Sequence, residues 1–300
     1  MTAQGATPTG SVTGAPEVAV LIVSCDKYYD LWEPFCTFMS RHWPDCPYRV
    51  FLLANHMDWS HDGVTTLRVG PDRSWSDSLR TAIQRLGVAY VLTIQDDFLL
   101  QAPVSTEAVV RAVGELHQRG GAYLRLVPTL VPSWRWIGRS RPDAVAIPPG
   151  SPYRISNQAS VWRSDALLGL LRPGESPWEM EIWGSERTSK EVEGFFSATA
   201  AILRYHPHGA VIRGKWSRSA ARRCRDAGVW QTDRGVQSVA ETWQQAAAAV
   251  MFNLAMAVAP RLLWRVTLAR YGSGIGRAQG PGSAAAAEPA GRAGGTGGEG

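Results

Sequence analysis

The chain has 300 residues, 45% of them apolar, with a net charge of +5 and a pI near 9.2. That charge is too mild for a dedicated nucleic-acid binder, so no nucleic-acid partner is expected. Four cysteines, Cys25, Cys36, Cys46 and Cys224, show no CxxC spacing, and the N-terminus lacks a charged and apolar leader, which predicts free thiols in a cytoplasmic protein, with a Cys36–Cys46 disulfide as the alternative.

Residues 1–16 are small and polar, and 272–300 are almost wholly Gly, Ala and Pro. Neither segment offers enough apolar area to offset its ordering entropy, so both are expected to be disordered. The remainder, about 255 residues, suits one large domain over 17–236 with a helical extension over 237–271.

"EVAVLIVSCD" (17–26) is a β-branched apolar run and predicts a buried strand. Leu31, Phe35, Phe38 and Met39 then recur at helical spacing, with Asp30 as the expected N-cap. "YRVFLLAN" (48–55) and the weaker "TTLRVG" (65–70) predict two more strands. "SWSDSLRTAIQRLG" (74–87) predicts an amphipathic helix with Leu79, Ile83 and Leu86 on one face and Gly87 as its stop. "AYVLTI" predicts the next strand, which runs directly into Gln95, Asp96 and Asp97. Strand, helix, strand, strand, helix, strand is the grammar of a mostly parallel α/β sheet covered on both faces. In such sheets ligands bind beyond the carboxyl ends of the strands, where "SCDK" and "QDDF" both fall.

A helix over 105–120, capped by Ser105 or Thr106, and a strand, "AYLRLVP", follow. Residues 128–150, rich in Pro, Arg and Trp, predict a long binding loop, and 153–174 a strand leading into a short helix. The run 204–225 holds Arg204, Arg213, Lys215, Arg218, Arg222, Arg223 and Arg225 with no acid, which suits either an anion site or a solvated basic face. Residues 238–272 are helical in composition. Their apolar part, 246–259, is broken by Asn253 and ended by Pro260, too short for the roughly 20 residues of a membrane span. Peripheral membrane contact through 246–270, with Arg261, Arg265 and Arg270 at the head groups, competes with packing on the domain.

A buried carboxylate is unfavourable unless paired, protonated or bound to a metal. Asp96 and Asp97 at a strand end suit Mg²⁺ or Mn²⁺ shared with substrate phosphates; capping of the next segment is the plainer alternative. The segments "VLIVSCDKYYDLW", "SWSDSLRTAIQRLGVAYVLTIQDDFLL" and "YRISNQASVWRSDALLGLLRPGESPWEMEIWGSE", in this order, resemble bacterial GT-A-type glycosyltransferases of polysaccharide and glycoconjugate biosynthesis. The resemblance covers roughly residues 18–220.

It implies a GT-A-like, Rossmann-type fold and an inverting, metal-assisted transfer from a nucleoside-diphosphate sugar to a hydroxyl acceptor, which is a glycan, a lipid-linked sugar or a small molecule. It also implies that Ser24, Asp26 and Lys27 meet the nucleotide and that "QDDF" answers to the family's Asp-x-Asp motif, with Gln95 where the first Asp is expected. Because alternate residues of an extended segment share a face, Gln95 and Asp97 are expected to point together, leaving Asp97 as metal ligand and Asp96 near the ribose or reaching the metal through water. An inverting transfer needs a general base; Glu181, ahead of Glu179, is expected to supply it beside Trp178 and Trp183. Lys215 or Arg213 is the expected diphosphate clamp. His206 and His208 have no third partner for zinc. Trp134, Trp136, Trp178 and Trp183 are candidates for stacking on the acceptor sugar. A sugar-phosphate nucleotidyltransferase is the nearest rival, disfavoured because "SCDKYYD" has no glycine to cradle phosphate; a non-catalytic carbohydrate- or surface-binding scaffold is the rival from another class.

Overall fold

A computed structural model describes residues 16–128, 143–190, 194–206 and 208–272. The expected disorder of 1–15 and 273–300, most of the 128–150 loop, and the candidates Trp134 and Trp136 lie outside the described residues.

The core is one eight-stranded sheet. In chain order its strands are β1 (Val18–Val23), β2 (Arg49–Ala54), β3 (Val64–Arg68), β4 (Tyr90–Gln95), β5 (Tyr123–Arg125), β6 (Ala144–Ala146), β7 (Ser160–Arg163) and β8 (Phe195–Ala198). They lie side by side as β3-β2-β1-β4-β7-β5-β8-β6. β1 to β4 pair in parallel, β7 runs antiparallel between β4 and β5, β8 is parallel to β5, and β6 closes the edge antiparallel to β8. The α/β, mostly parallel sheet expected from the sequence is therefore what forms.

β1 is apolar along its length because both faces are covered. Val20 and Ile22 face one core with Trp32, Phe35, Val113 and Leu116; Ala19, Leu21 and Val23 face the other with Leu79, Ile83, Leu167 and Met180. The helices behind the first core are α1 (Trp32–His42) and α3 (Thr106–Gln118); behind the second lie α2 (Trp75–Leu86), α4 (Ser164–Leu170) and α5 (Pro177–Arg187). Local signals set the ends of α2: the Ser74 hydroxyl accepts from Asp77 N, and Gly87 takes φ +63° at the stop. Ser105 caps α3 in the same way.

Asp30 departs from its expected role as a cap. It lies inside a 3-10 helix, Asp26–Leu31, that precedes α1. Its buried carboxylate instead takes hydrogen bonds from Thr232 Oγ1 (2.6 Å) and Arg234 Nε (2.8 Å). The chain after β9 (Val211–Ile212), β10 (Lys215–Trp216) and α6 (Arg218–Asp226) therefore returns over the end of β1. The extension consists of α7 (Val239–Val258) and α8 (Pro260–Gly272), bent by 119° at the break before Pro260. All four cysteines are free thiols.

Candidate functional site

The carboxyl ends of β1 and β4 lie together, since Val23 pairs with Gln95. Ser24 follows β1 and Asp96 follows β4, so the register brings them side by side. Ser24 Oγ donates to Asp96 Oδ2 and accepts from the buried Trp32 Nε1 at 2.6 Å. Burial, and next the charge of Asp97, hold the Asp96 carboxyl well above the usual carboxylate range, with the Ser24 hydrogen bond opposing.

Asp97 is partly exposed, and its carboxyl is crowded by the segment 209–211. Ala210 N donates to its backbone oxygen at 2.7 Å. Gly209, at φ +76°, lies so close that a Cβ there would overlap Asp97 Oδ2, so glycine is required by both backbone and space. Burial pushes the Asp97 carboxyl up to about 7, against the stabilising backbone N–H groups of Asp97 itself and Val211. Among the described residues, no lysine or arginine forms an ion pair with Asp96 or Asp97.

The expected shared face of Gln95 and Asp97 does not form. β4 ends at Gln95, and the chain turns at Asp96 and Asp97, so strand alternation stops there. Gln95 lines a small gap with Trp75, Asn157, Trp162 and Met180 on the second core's side, whereas Asp97 meets the 209–211 segment on the first.

Asp26 is engaged within the fold. Its Oδ1 accepts from Asn55 N (2.8 Å), and its Oδ2 from His56 N (2.9 Å) and Met57 N (3.0 Å), tying the loop after β2 to the end of β1. Lys27 is exposed, and its carbonyl accepts from Arg234 Nη2 at 2.9 Å. Arg234 also lies over the Tyr28 ring, 4.6 Å from its centroid. Sequence reasoning missed this arginine; its partners are about two hundred positions away, and no local pattern marks it.

Glu179 and Glu181 sit on α5 in different surroundings. Ser176 caps the helix, and Glu179 completes a capping box: Glu179 N donates to Ser176 Oγ, and Ser176 N donates to Glu179 Oε2 at 2.8 Å. Glu181 turns inward; its Oε1 accepts from Ser156 Oγ (2.9 Å) and Asn157 N (2.6 Å). Burial raises the Glu181 carboxyl, opposed by the Asn157 amide, the Ser156 hydroxyl and the charge of Arg125. Asn157 joins the two regions: it binds Glu181 through its backbone and borders the gap that Gln95 also lines. Trp178 stands 64% exposed beside this helix start, while Trp183 is largely covered.

The expected clamp residues share the β9–β10 hairpin but have separate surroundings. Lys215 Nζ pairs with Glu241 Oε1 on α7 at 2.6 Å, and Arg213 is exposed at the tip of the β9–β10 hairpin with φ +51°. The basic run 204–225 is likewise divided. Arg223 lies over Phe38 and donates to Leu100 O, and Arg225 lies over Trp230. His206 and His208 rings sit 5.8 Å apart, and no group of three or more His, Cys, Asp or Glu suited to a metal occurs among the described residues.

No family model matches the chain, and no curated protein matches it. Among solved structures it is similar to S. aureus TarS residues 1–349 (12% identity, TM-score 0.37), with 61% of this chain and 60% of that one covered. The similar region thus spans about 60% of that protein fragment. It is also similar to the galactosyltransferase LgtC (10% identity, TM-score 0.38, 72% and 96% covered). A third is a cytidylyltransferase from Leptospira borgpetersenii (11% identity, TM-score 0.40, 74% and 100% covered).

Proposed function

We propose that this protein transfers a sugar from a nucleoside-diphosphate donor to a hydroxyl acceptor. The observation that carries the reading is the pair Asp96–Asp97: two neighbouring acids at the carboxyl end of a central parallel strand, both raised above the usual carboxylate range and neither in an ion pair among the described residues. A fold gains little stability from such a pair, whereas a donor site beyond the strand ends makes use of it.

The donor set suits a hard cation held by few protein oxygens and completed by diphosphate, the habit of Mg²⁺ and Mn²⁺. Asp97 would hold it, with Asp96 one step behind through water, and such an ion would offset the charge that builds on the departing nucleoside diphosphate. Ser24 fixes the Asp96 carboxyl, and Gly209 allows the 209–211 segment to close against Asp97. Glu181 is the proposed base. A burial-raised carboxylate takes the acceptor's proton as that oxygen bonds to the anomeric carbon and the bond to the diphosphate breaks. Ser156 and Asn157 aim it. The exposed Trp178 ring nearby offers a platform for an acceptor sugar.

The test is a thermal-shift panel of UDP, GDP, TDP, CDP and ADP, each with and without Mn²⁺. At about a hundred times its dissociation constant, the right nucleotide should stabilise the fold by roughly 2.7 kcal/mol. A shift for one base that requires Mn²⁺ is expected. A shift without Mn²⁺ keeps the transfer and removes the cation, and no shift with any nucleotide overturns the reading.

A further inference from the structure

We propose that α7 and α8 together form a docking element for an anionic lipid surface. Every helix of the α/β body buries an apolar face, but α7 buries no residue in its 20. Trp243 (72% exposed), Val250, Leu254 and Val258 (82% exposed) recur at spacings of seven, four and four, which places them on one side of the helix. Beyond the bend, Leu262 and Val266 are likewise exposed on α8. Soluble proteins rarely leave a contiguous apolar face of this length to water.

Charge identifies the occupant. From Thr242 to Gly272 the chain has no acid, and its charged residues are Arg261, Arg265 and Arg270. Arg261 and Arg265 are exposed and each precedes one of the exposed apolar pair, Leu262 and Val266. A cationic guanidinium beside an inserted aliphatic chain is the pattern of a helix lying at the boundary of lipid head groups and acyl chains. A protein partner buried on this face would require acids opposite the arginines, and a second copy of the same surface would oppose arginine to arginine. Spanning is disfavoured by the 119° bend, by Asn253 within α7, and by the fact that no single helix among the described residues is long and apolar enough to cross a membrane.

The element is tied to the body through the Lys215–Glu241 pair at the start of α7 and through a second contact around Trp264. The buried Trp264 donates from Nε1 to Glu186 Oε1 on α5 at 2.6 Å and packs against the Tyr153 ring, centroids 5.1 Å apart; Phe252 of α7 touches the same ring. Tyr153 O in turn accepts from Arg125 Nη2 at 2.6 Å. The docking face is thus joined to the helix and loop that hold Glu181. Docking follows from the surface alone; that it presents an acceptor to Glu181 rests on the sugar-transfer reading.

The test is co-sedimentation of the full chain with vesicles of phosphatidylcholine alone or mixed with phosphatidylglycerol. Binding to the mixed vesicles, weakened by salt and much weaker with phosphatidylcholine alone, is expected. Arg261→Glu with Arg265→Glu alters only exposed side chains and should reduce that binding at least about tenfold. Val250→Asp with Leu254→Asp should abolish it, with unchanged circular dichroism. Equal binding to both vesicle types, or full binding by the arginine variant, overturns the proposal. So does a dimer in sedimentation velocity that the aspartate variant dissociates, or a carbonate-resistant, membrane-spanning topology. Nucleotide thermal shifts measured on the same variants should not change, so failure of docking and failure of the donor site are read separately.

Discussion

Two parts of this molecule each bring a pair of acids to the same end of the sheet, and they treat those pairs differently. At the end of β4 the acids are adjacent: burial raises both, and the charge of Asp97 is the second cause of the upward shift at Asp96. Among the described residues only Asp96 has a side-chain hydrogen-bond partner, Ser24. On α5 the acids are two residues apart, and helical geometry separates their tasks. Glu179 faces the helix start and satisfies Ser176 N, while Glu181 faces the 153–158 loop. Adjacent acids at a strand end remain a charge problem that a ligand can resolve. Acids at i and i+2 on a helix are led to different surroundings, so one serves the fold and the other is left for chemistry.

The sharpest way to break this contrast is Asp97→Asn. Transfer should fall on the order of a thousandfold, because the cation site and its charge are lost. Stability should move the other way. The folded Asp97 holds its proton up to about 7, above the ordinary 3.8, so its contribution to stability is full below about 4 and is lost as pH rises toward 7. The slope is at most about 1.4 kcal/mol per pH unit. Melts of the wild type and Asn variant should therefore agree near pH 4 and diverge toward pH 8, with the variant more stable. Equal melts at pH 8 would show that the Asp97 charge is already compensated.

Glu181→Gln tests the other member. It should cost on the order of a hundredfold in kcat while leaving the nucleotide thermal shift intact. Because burial raises the Glu181 carboxyl, the acid limb of the wild-type kcat profile should lie above the usual carboxylate range. A limb at the ordinary value would mean that another group is the base. Ser24→Ala has a smaller expected effect. It removes one partner from Asp96 and one from the buried Trp32 Nε1, and should lower stability by about 1–3 kcal/mol. A melt unchanged within about 0.5 kcal/mol would show that both groups find other partners.

What could be read from the sequence follows this division between local and distant causes. β1, β2, β4, α2 and α3 were legible because apolar period, Ser74, Ser105 and Gly87 all act within a few residues. The position of "SCDK" and "QDDF" at strand ends followed from the order of elements. The orientation of Gln95 and Asp97 did not, because β4 stops one residue before Asp96 and periodicity gives no signal for where a strand ends. The Asp30–Arg234 pair, the closure of Gly209 on Asp97 and the hold of Asp26 on residues 55–57 were illegible for the same reason: each depends on where distant chain returns. α6 was hidden within the basic run, since its buried side is only Ala220, Ala221 and Cys224.

The smallest effect is the most discriminating for α5. Glu179→Ala should lose the Ser176 N acceptor and about 1 kcal/mol of stability, with kcat unchanged. Glu179→Gln keeps an acceptor oxygen at the same reach, since glutamine serves the capping box as glutamate does, and should match wild type in both melt and rate. The pair of variants separates a cap from a base, because a base needs the charge and a cap needs only the oxygen. If the Gln variant melts like wild type but loses transfer, the base is Glu179 and the two acids of α5 exchange roles. If both variants keep their rate while Glu181→Gln loses it, the helix start belongs to the fold alone, and the chemistry on this side rests with Glu181.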